Sequence, residues 1–123
     1  MEHILTFNKK QLDFIEDIET MTPSEFKRAY GTKETEEEIF CETLAETNEY
    51  QINLRQFKPI SHLTHPIYGY NELEIIDKKT DKVTENILFC QYDIEEKKGF
   101  TVKDKNHNEW FRIRLKSTEP MET

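Results

Sequence analysis

The stretch ELEIIDKKTDKVTENILFCQYDIEEKKGFTVKDKNHNEWFRIRL, residues 72–115, decides the fold class of this 123-residue chain. It contains four runs of strand-forming residues, separated by the short polar segments KKTD, EEKKG and KNHN. In the last run apolar and polar side chains alternate, which is typical of a strand buried on one face. Turns this short cannot hold the crossover that joins parallel strands, so antiparallel pairing is predicted. The run that ends in ILF is apolar on both faces and therefore predicts a central strand.

A further strand is predicted at Tyr50, where the two-residue alternation begins, and helices are predicted before it. Asn8 and Thr22 each stand three residues before a glutamine or glutamate, which is the capping-box pattern. Gly31 is a typical helix stop, and a third helix is predicted from Thr35 to about Asn48. We therefore expect an α+β fold, with the N-terminal helices packed on a mainly antiparallel sheet of about four to six strands.

One domain of residues 1–123 is expected from the chain length. It comprises a helical acidic part at about residues 8–48, a β-rich part with a meander-like order at about 50–116, and a frayed tail at 117–123. The residues predicted to be largely buried are Leu12, Ile15, Phe26, Phe40, Leu44, Ile52, Leu54, Ile75, Leu88, Phe89, Val102, Phe111 and Ile113.

The acidic excess is confined to the first two fifths of the chain. Residues 1–49 hold thirteen acids and five bases, a charge of −8, whereas residues 50–123 hold twelve of each. On the predicted third helix, Glu34, Glu38, Glu42, Glu46 and Glu49 share one face. Neighbours in such a row lie about 6 Å apart along the axis, and like charges at this spacing destabilise a helix slightly. The row is either a solvated face or a docking surface for a basic protein.

A second candidate interface is the loop KPISHLTHPIYGYN, residues 58–71. Tyr68 and Tyr70 could anchor a protein partner if they are exposed, or they could fold back onto the core. The alternative of a metal site at His62 and His65, with Cys41 and Cys90 as further ligands, lacks ligand-spaced pairs of cysteines. We expect no zinc, no cofactor and two packed free thiols.

The sequence argues against three chemical functions. The three glycines are isolated, so no phosphate-cradling loop is present, and no pair of carboxylates stands out as a general acid and base. Trp110, Arg112, Arg114 and Lys116 on the last strand could hold single-stranded nucleic acid, or could pair with acids such as Glu72 and Glu74. The net charge of −8 argues against direct nucleic-acid binding.

These observations predict a small acidic, non-catalytic binding protein. The predicted partner is a basic protein that handles nucleic acid. We expect this chain to inhibit that partner, as a phage or mobile-element protein whose carboxylates imitate the spacing of phosphates. An immunity protein or antitoxin, and a small enzyme with an unrecognised site, are the alternatives. The chain shows no export signal and no stretch long enough to span a membrane, so a cytoplasmic location is expected.

Overall fold

A computed structural model describes residues 1–31, 38–62 and 64–118 of the chain. These residues form three helices and nine strands. In chain order the elements are β1 (Glu2–Phe7), α1 (Lys9–Thr20), α2 (Pro23–Tyr30), β2 (Glu38–Glu46), β3 (Tyr50–Phe57), β4 (Ile60–His62), β5 (His65–Ile67), β6 (Tyr70–Asp77), β7 (Lys82–Phe89), α3 (Gln91–Glu95), β8 (Gly99–Lys103) and β9 (Glu109–Ser117).

The strands form three sheets in which antiparallel pairing dominates. A four-stranded antiparallel sheet has the order β2-β3-β6-β7, and a three-stranded sheet has the order β1-β9-β8. Within the smaller sheet β8 runs antiparallel to β9, whereas β1 pairs with β9 in parallel. The remaining strands, β4 and β5, form an antiparallel hairpin of their own. The predicted α+β class with mainly antiparallel strands is confirmed.

The hydrophobic core joins the inner faces of the two larger sheets. Tyr50 of β3 stacks on Phe111 of β9 with ring centroids 3.9 Å apart, and Phe7 of β1 lies against Phe89 of β7. One helical residue from α1, Ile15, extends the same cluster. Each large apolar side chain buried there contributes about 1.5–3 kcal/mol. Sheet-to-sheet packing, which the sequence did not predict, therefore supplies most of the core.

The predicted starts of both N-terminal helices are confirmed. The Asn8 side chain accepts from the peptide N–H of Gln11, whose own side chain accepts from the N–H of Asn8, each at 2.9 Å. Thr22 and Glu25 make the equivalent reciprocal bonds at the start of α2. That helix ends at Gly31, whose φ of 66° is the left-handed conformation that glycine adopts without strain.

The predicted third helix is wrong, because Glu38–Glu46 forms the strand β2 beside β3. Cross-strand pairing with Tyr50–Phe57 gives seven of its nine residues a partner on β3, and such tertiary pairing overrides the helical preference of glutamate. Thr47 closes the turn, because its hydroxyl accepts from the peptide N–H groups of Glu49 and Tyr50 at 3.1 Å. Residues 32–37, including Glu34 and the predicted cap Thr35, lie outside the described residues.

Two of the predicted core residues are exposed. Phe40 was assigned to the buried side of a helix that does not form, and it is 40% exposed on β2. Leu88 is 64% exposed, because β7 is an edge strand whose alternation directs Ile87 and Phe89 inward instead. Nine of the others are buried and the remaining two pack against the core: Ile15, Phe26, Ile52, Leu54, Ile75, Phe89, Val102, Phe111 and Ile113, then Leu12 and Leu44.

Three further boundaries differ from the prediction. The segment 58–71 is more regular than a loop, since it contains the β4–β5 hairpin and the first residues of β6. The short helix α3, Gln91–Glu95, was not predicted; Asp93 accepts from the peptide N–H of Cys90 at its start. The tail begins later than expected, because β9 continues through Ser117. Residues 119–123 lie outside the described part of the chain.

Candidate interface on the outer face of the four-stranded sheet

The two faces of the four-stranded sheet have different surroundings. Alternate residues such as Leu54 and Leu73 are buried in the core. The residues between them face away from the core, and the strand register aligns Cys41, Arg55, Glu72 and Leu88 across β2, β3, β6 and β7. We call the outward-facing set Cys41, Arg55, Phe57, Tyr70, Glu72 and Leu88 the outer-sheet surface.

A chain of hydrogen bonds organises the side chains beside this surface. The Gln51 side chain donates to Thr43 at 3.0 Å and to Asn53 at 2.8 Å. Asn53 in turn donates to Glu74 at 3.2 Å, and the guanidinium of Arg55 donates to the other oxygen of Glu74 at 3.1 Å. Charge-assisted bonds of this kind hold long side chains in one arrangement. The chain of bonds therefore presents a pre-ordered surface, which lowers the entropy cost of binding.

Aromatic rings continue the surface beyond Arg55. Phe57 of β3 stacks on Tyr70 of β6 with ring centroids 4.5 Å apart, and the Arg55 guanidinium lies 4.9 Å from the centre of the Phe57 ring. Tyr68 and Tyr70 are 51% and 43% exposed. The alternative that these tyrosines fold into the core therefore does not describe the structure, and both remain accessible to a partner.

The predicted row of glutamates does not form among the described residues. Glu42 pairs with Leu54 and Glu46 pairs with Gln51, and an irregularity between Thr43 and Ala45 shifts the register between them. The two carboxylates therefore leave the strand on opposite faces. Residues four apart in a strand are also about 13 Å apart, far more than in a helix. The spacing that would imitate phosphates is consequently absent here.

Two of the predicted glutamates already have partners within the protein. Glu46 forms an ion pair with Lys78 at 2.5 Å, and Glu49 accepts a hydrogen bond from the indole of Trp110 at 3.2 Å. The backbone of Glu38 pairs with Phe57, while Glu34 falls among residues 32–37, which the structure does not describe. What the sequence missed is that Glu42, Glu46 and Tyr70 all belong to one sheet.

The missed members of the surface are Arg55, Phe57, Glu72 and Leu88. Their strands were recognised, and the polar alternation around Arg55 was noted, but only strand pairing shows that β3 lies between β2 and β6. The sequence carried one usable signal, since the single base Arg55 and the acids of ELEIID are complementary cross-strand partners. The structure pairs Arg55 with both Glu72 and Glu74.

The residues considered for metal binding are dispersed. His62 and His65 face each other across the β4–β5 hairpin with ring centroids 6.4 Å apart. Cys41 is exposed on β2, contrary to the predicted packed thiol, and Cys90 is half-buried beside Asp93. Across residues 1–31, 38–62 and 64–118, no three His, Cys, Asp or Glu side chains form a group that could hold a metal ion.

The basic face of β9 is engaged with acids, although not with those that the sequence suggested. Arg112 pairs with Glu109 at 3.4 Å, and Arg114 pairs with Glu2 at 3.5 Å while also donating to the carbonyl of Lys97. These pairs are exposed and individually weak, about 0–1 kcal/mol each. They partly neutralise the positive charge of Arg112 and Arg114 on this face.

One ionisable pair, half-buried His3 with buried Tyr50, bears on the possibility of catalysis. His3 is hydrogen-bonded to the hydroxyl of Tyr50 and lies edge-on to Phe111. Burial, helped by the nearby N-terminus, lowers the pKa of His3. Burial and the charge of Glu49 raise the pKa of Tyr50. Both groups are thereby favoured in their neutral forms, with Tyr50 in the core and His3 packed against it at the edge of the aromatic cluster.

Comparisons with known proteins found no matching family model, no matching curated protein and no matching solved structure. Within the described part of the chain, none of the helices has the length and apolar character needed to cross a membrane.

Proposed function

We propose that this chain is a small, acidic, non-catalytic protein that binds a basic protein partner on its outer-sheet surface. The observation that carries the proposal is the pre-ordered combination of Arg55, the Phe57–Tyr70 stack and exposed Leu88 on a sheet face directed away from the core. The proposed location is the cytoplasm.

The chemistry of the outer-sheet surface suits a protein partner. Tyrosine and arginine are enriched among the residues that dominate binding energy, and they act best beside a fully desolvated apolar contact. Here Tyr68 and Tyr70 border one end, and Leu88 on edge strand β7 supplies the exposed aliphatic group. The flanking hydrogen bonds would form the polar rim of such an interface.

The charge of the chain supports a basic partner. Net charge is −8. On the edge strand β2, Glu46 is exposed on the face of the outer-sheet surface and Glu42 is exposed on the opposite face. Opposite charge accelerates association more than it tightens the final complex. Proteins that hold nucleic acid typically carry basic surfaces, so the proposed activity is inhibition of such a protein, in the manner of a phage or mobile-element inhibitor.

The alternative is an immunity protein or antitoxin, which would use the same surface against a cognate toxin. An adjacent toxin gene would favour this alternative, whereas surrounding phage genes would favour the inhibitor. A small enzyme is the remaining class, and turnover of a substrate by the purified protein would establish it.

Photo-crosslinking from a defined position tests the proposal. A benzophenone amino acid replaces Tyr70, and a control chain carries it at Tyr92, which is 63% exposed on α3. Both chains are expressed in the native host, irradiated and analysed by mass spectrometry. We expect a basic nucleic-acid-binding protein to be joined to position 70 and not to position 92.

The captured protein is then purified and its nucleic-acid binding is measured with and without the chain. Stoichiometric loss of nucleic-acid binding is the expected result. Equal adducts at positions 70 and 92 would contradict binding at the outer-sheet surface. Unchanged nucleic-acid binding by the captured protein would contradict the proposed inhibition.

A further inference from the structure

The β4–β5 hairpin stands apart from the two larger sheets. Its strands, Ile60–His62 and His65–Ile67, pair with each other and with no other strand among the described residues. Ile60 is half-buried, and the other five residues of the two strands are exposed. An isolated two-stranded hairpin is marginally stable in water, so this one depends on its attachment to the fold. We call residues 60–68 the hairpin arm.

The base of the hairpin arm is fixed beside the outer-sheet surface. The chain enters the arm after Phe57 of β3 and leaves it before Tyr70 of β6, and the rings of these two residues are stacked. Next to them the peptide N–H of Gly69 donates to the carbonyl of Ile18 on α1 at 3.1 Å. The arm therefore begins from an ordered base that includes two members of the proposed interface.

The composition of the arm differs from that of the rest of the chain. The chain has 25 acidic residues, yet none of them falls within residues 50–71. That stretch comprises β3, the hairpin arm and the first two residues of β6, and the arm itself contains no Lys or Arg either. It exposes Ile67 and Tyr68, which are 42% and 51% accessible. Depletion of charge together with exposed tyrosine is typical of the centre of a protein interface, whereas the rim is polar.

We propose that the hairpin arm inserts into a concave site of the basic partner, the site in which that protein holds nucleic acid. This assignment rests on the proposed function and names the part of the partner that is bound. Paired strands lie about 4.8 Å apart, so a two-stranded arm is narrow, and a concave site can contact both of its faces. An arm without Asp, Glu, Lys or Arg enters without burying an unpaired charge of these residues. The acidic remainder of the chain then faces the basic rim.

Photo-crosslinking from Thr64, in the turn of the arm, tests the proposal with the protein that crosslinks to position 70. The purified partner is irradiated with a chain that carries the benzophenone amino acid at position 64. The control chain carries it at Asn106, in the exposed turn between β8 and β9. We expect position 64, and not position 106, to be joined to the partner's nucleic-acid site, which is mapped beforehand by crosslinking a labelled oligonucleotide to the free partner.

Paired substitutions measure the contribution of the arm to affinity. Ile67→Ser with Tyr68→Ser removes two exposed apolar side chains from the arm. The matched control, Ile4→Ser with Tyr92→Ser, removes the same residue types, 56% and 63% exposed, from β1 and α3. Affinity for the partner should fall at least about tenfold in the arm variant and less than about twofold in the control. Thermal denaturation of both variants checks that the fold is retained.

The outcomes separate this inference from the proposed function. If position 70 captures no basic partner, both fail. If position 70 captures a partner but position 64 gives no adduct in its nucleic-acid site, or if the folded arm variant binds as tightly as the parent, only the insertion of the arm fails. Crosslinking of the oligonucleotide itself to position 64 in the absence of the partner would also overturn the proposal, because the arm would then bind nucleic acid directly.

Discussion

Phe57 on β3 and Tyr70 on β6 face each other, with their rings stacked 17° from parallel. The guanidinium of Arg55 lies over the ring of Phe57. The two rings lie next to Arg55, the last member of the hydrogen-bonded chain on the outer face of the four-stranded sheet. An aromatic stack with an adjacent guanidinium is rigid, partly exposed and chemically varied, which are the properties of a binding hot spot.

Tyr70→Ala should weaken binding of the crosslinked partner by about 2 kcal/mol, or roughly thirtyfold, because truncation removes the exposed half of the stack. The melting temperature should change little, since Tyr70 is already 43% exposed. Titration calorimetry measures the affinity. The matched control is Tyr92→Ala, which removes an equally large exposed tyrosine from α3; an equal loss in both variants would argue against a specific interface.

Glu42→Gln together with Glu46→Gln should slow association with a basic partner and flatten its salt dependence, because both residues belong to the acidic edge strand. Stopped-flow association rates at several salt concentrations provide the measurement. Glu95→Gln with Glu96→Gln removes the same charge near α3. If both double variants associate at the same rate, the edge strand has no special role.

The glutamates of β2 and the turn after it are expected to affect stability in the opposite direction from that expected for a helix. On the predicted third helix, replacing Glu38, Glu42, Glu46 and Glu49 with glutamine would remove like-charge repulsion, and would therefore leave the fold intact or stabilise it slightly. In the structure Glu46 pairs with Lys78 and Glu49 holds Trp110. We therefore expect Glu46→Gln to reduce the free energy of unfolding, by less than about 1 kcal/mol because the pair is largely exposed. Urea denaturation at low salt checks the sign; an increase in stability would contradict it.

Gly69→Ala should destabilise the fold by about 3 kcal/mol or more. A Cβ at this position would lie 2.1 Å from the carbonyl oxygen of Phe57 and 2.9 Å from that of Ile18, and backbone atoms cannot move aside cheaply. Gly99→Ala is the control, because its nearest neighbour at 3.1 Å is the flexible end of Arg114. Chemical denaturation of both variants should show a loss confined to position 69.

Glu19 should make stability fall as pH rises from about 4.5 towards neutrality. Burial raises the pKa of this carboxyl, partly offset by hydrogen bonds from Asn71 and Gln91. A folded pKa above the unfolded one favours the protonated form, so the contribution is full below the ordinary value of 4.5 and is lost through the raised pKa. Glu19→Gln should remove this slope while keeping an acceptor for Asn71. An unchanged slope in denaturation curves would count against the assignment.

The sequence by itself determined the features that depend on local interactions. Two capping boxes, the stop at Gly31 and the inward alternation of Phe111 and Ile113 follow from neighbouring residues alone. The antiparallel pairing of the late strands follows equally from turn length, because short polar turns permit no other connection.

Only the tertiary structure decided the state of residues 38–46 and the composition of the outer-sheet surface. Glutamate-rich segments favour helices locally, but pairing with β3 gives most residues of Glu38–Glu46 a cross-strand partner. The register irregularity then sends Glu42 and Glu46 to opposite faces. Arg55 on β3 and Leu88 on β7 are far apart in sequence, and they lie on one surface only because β6 pairs with both strands. Local alternation shows which side chains share a face of each strand, whereas long-range packing sets the order of the strands in the sheet.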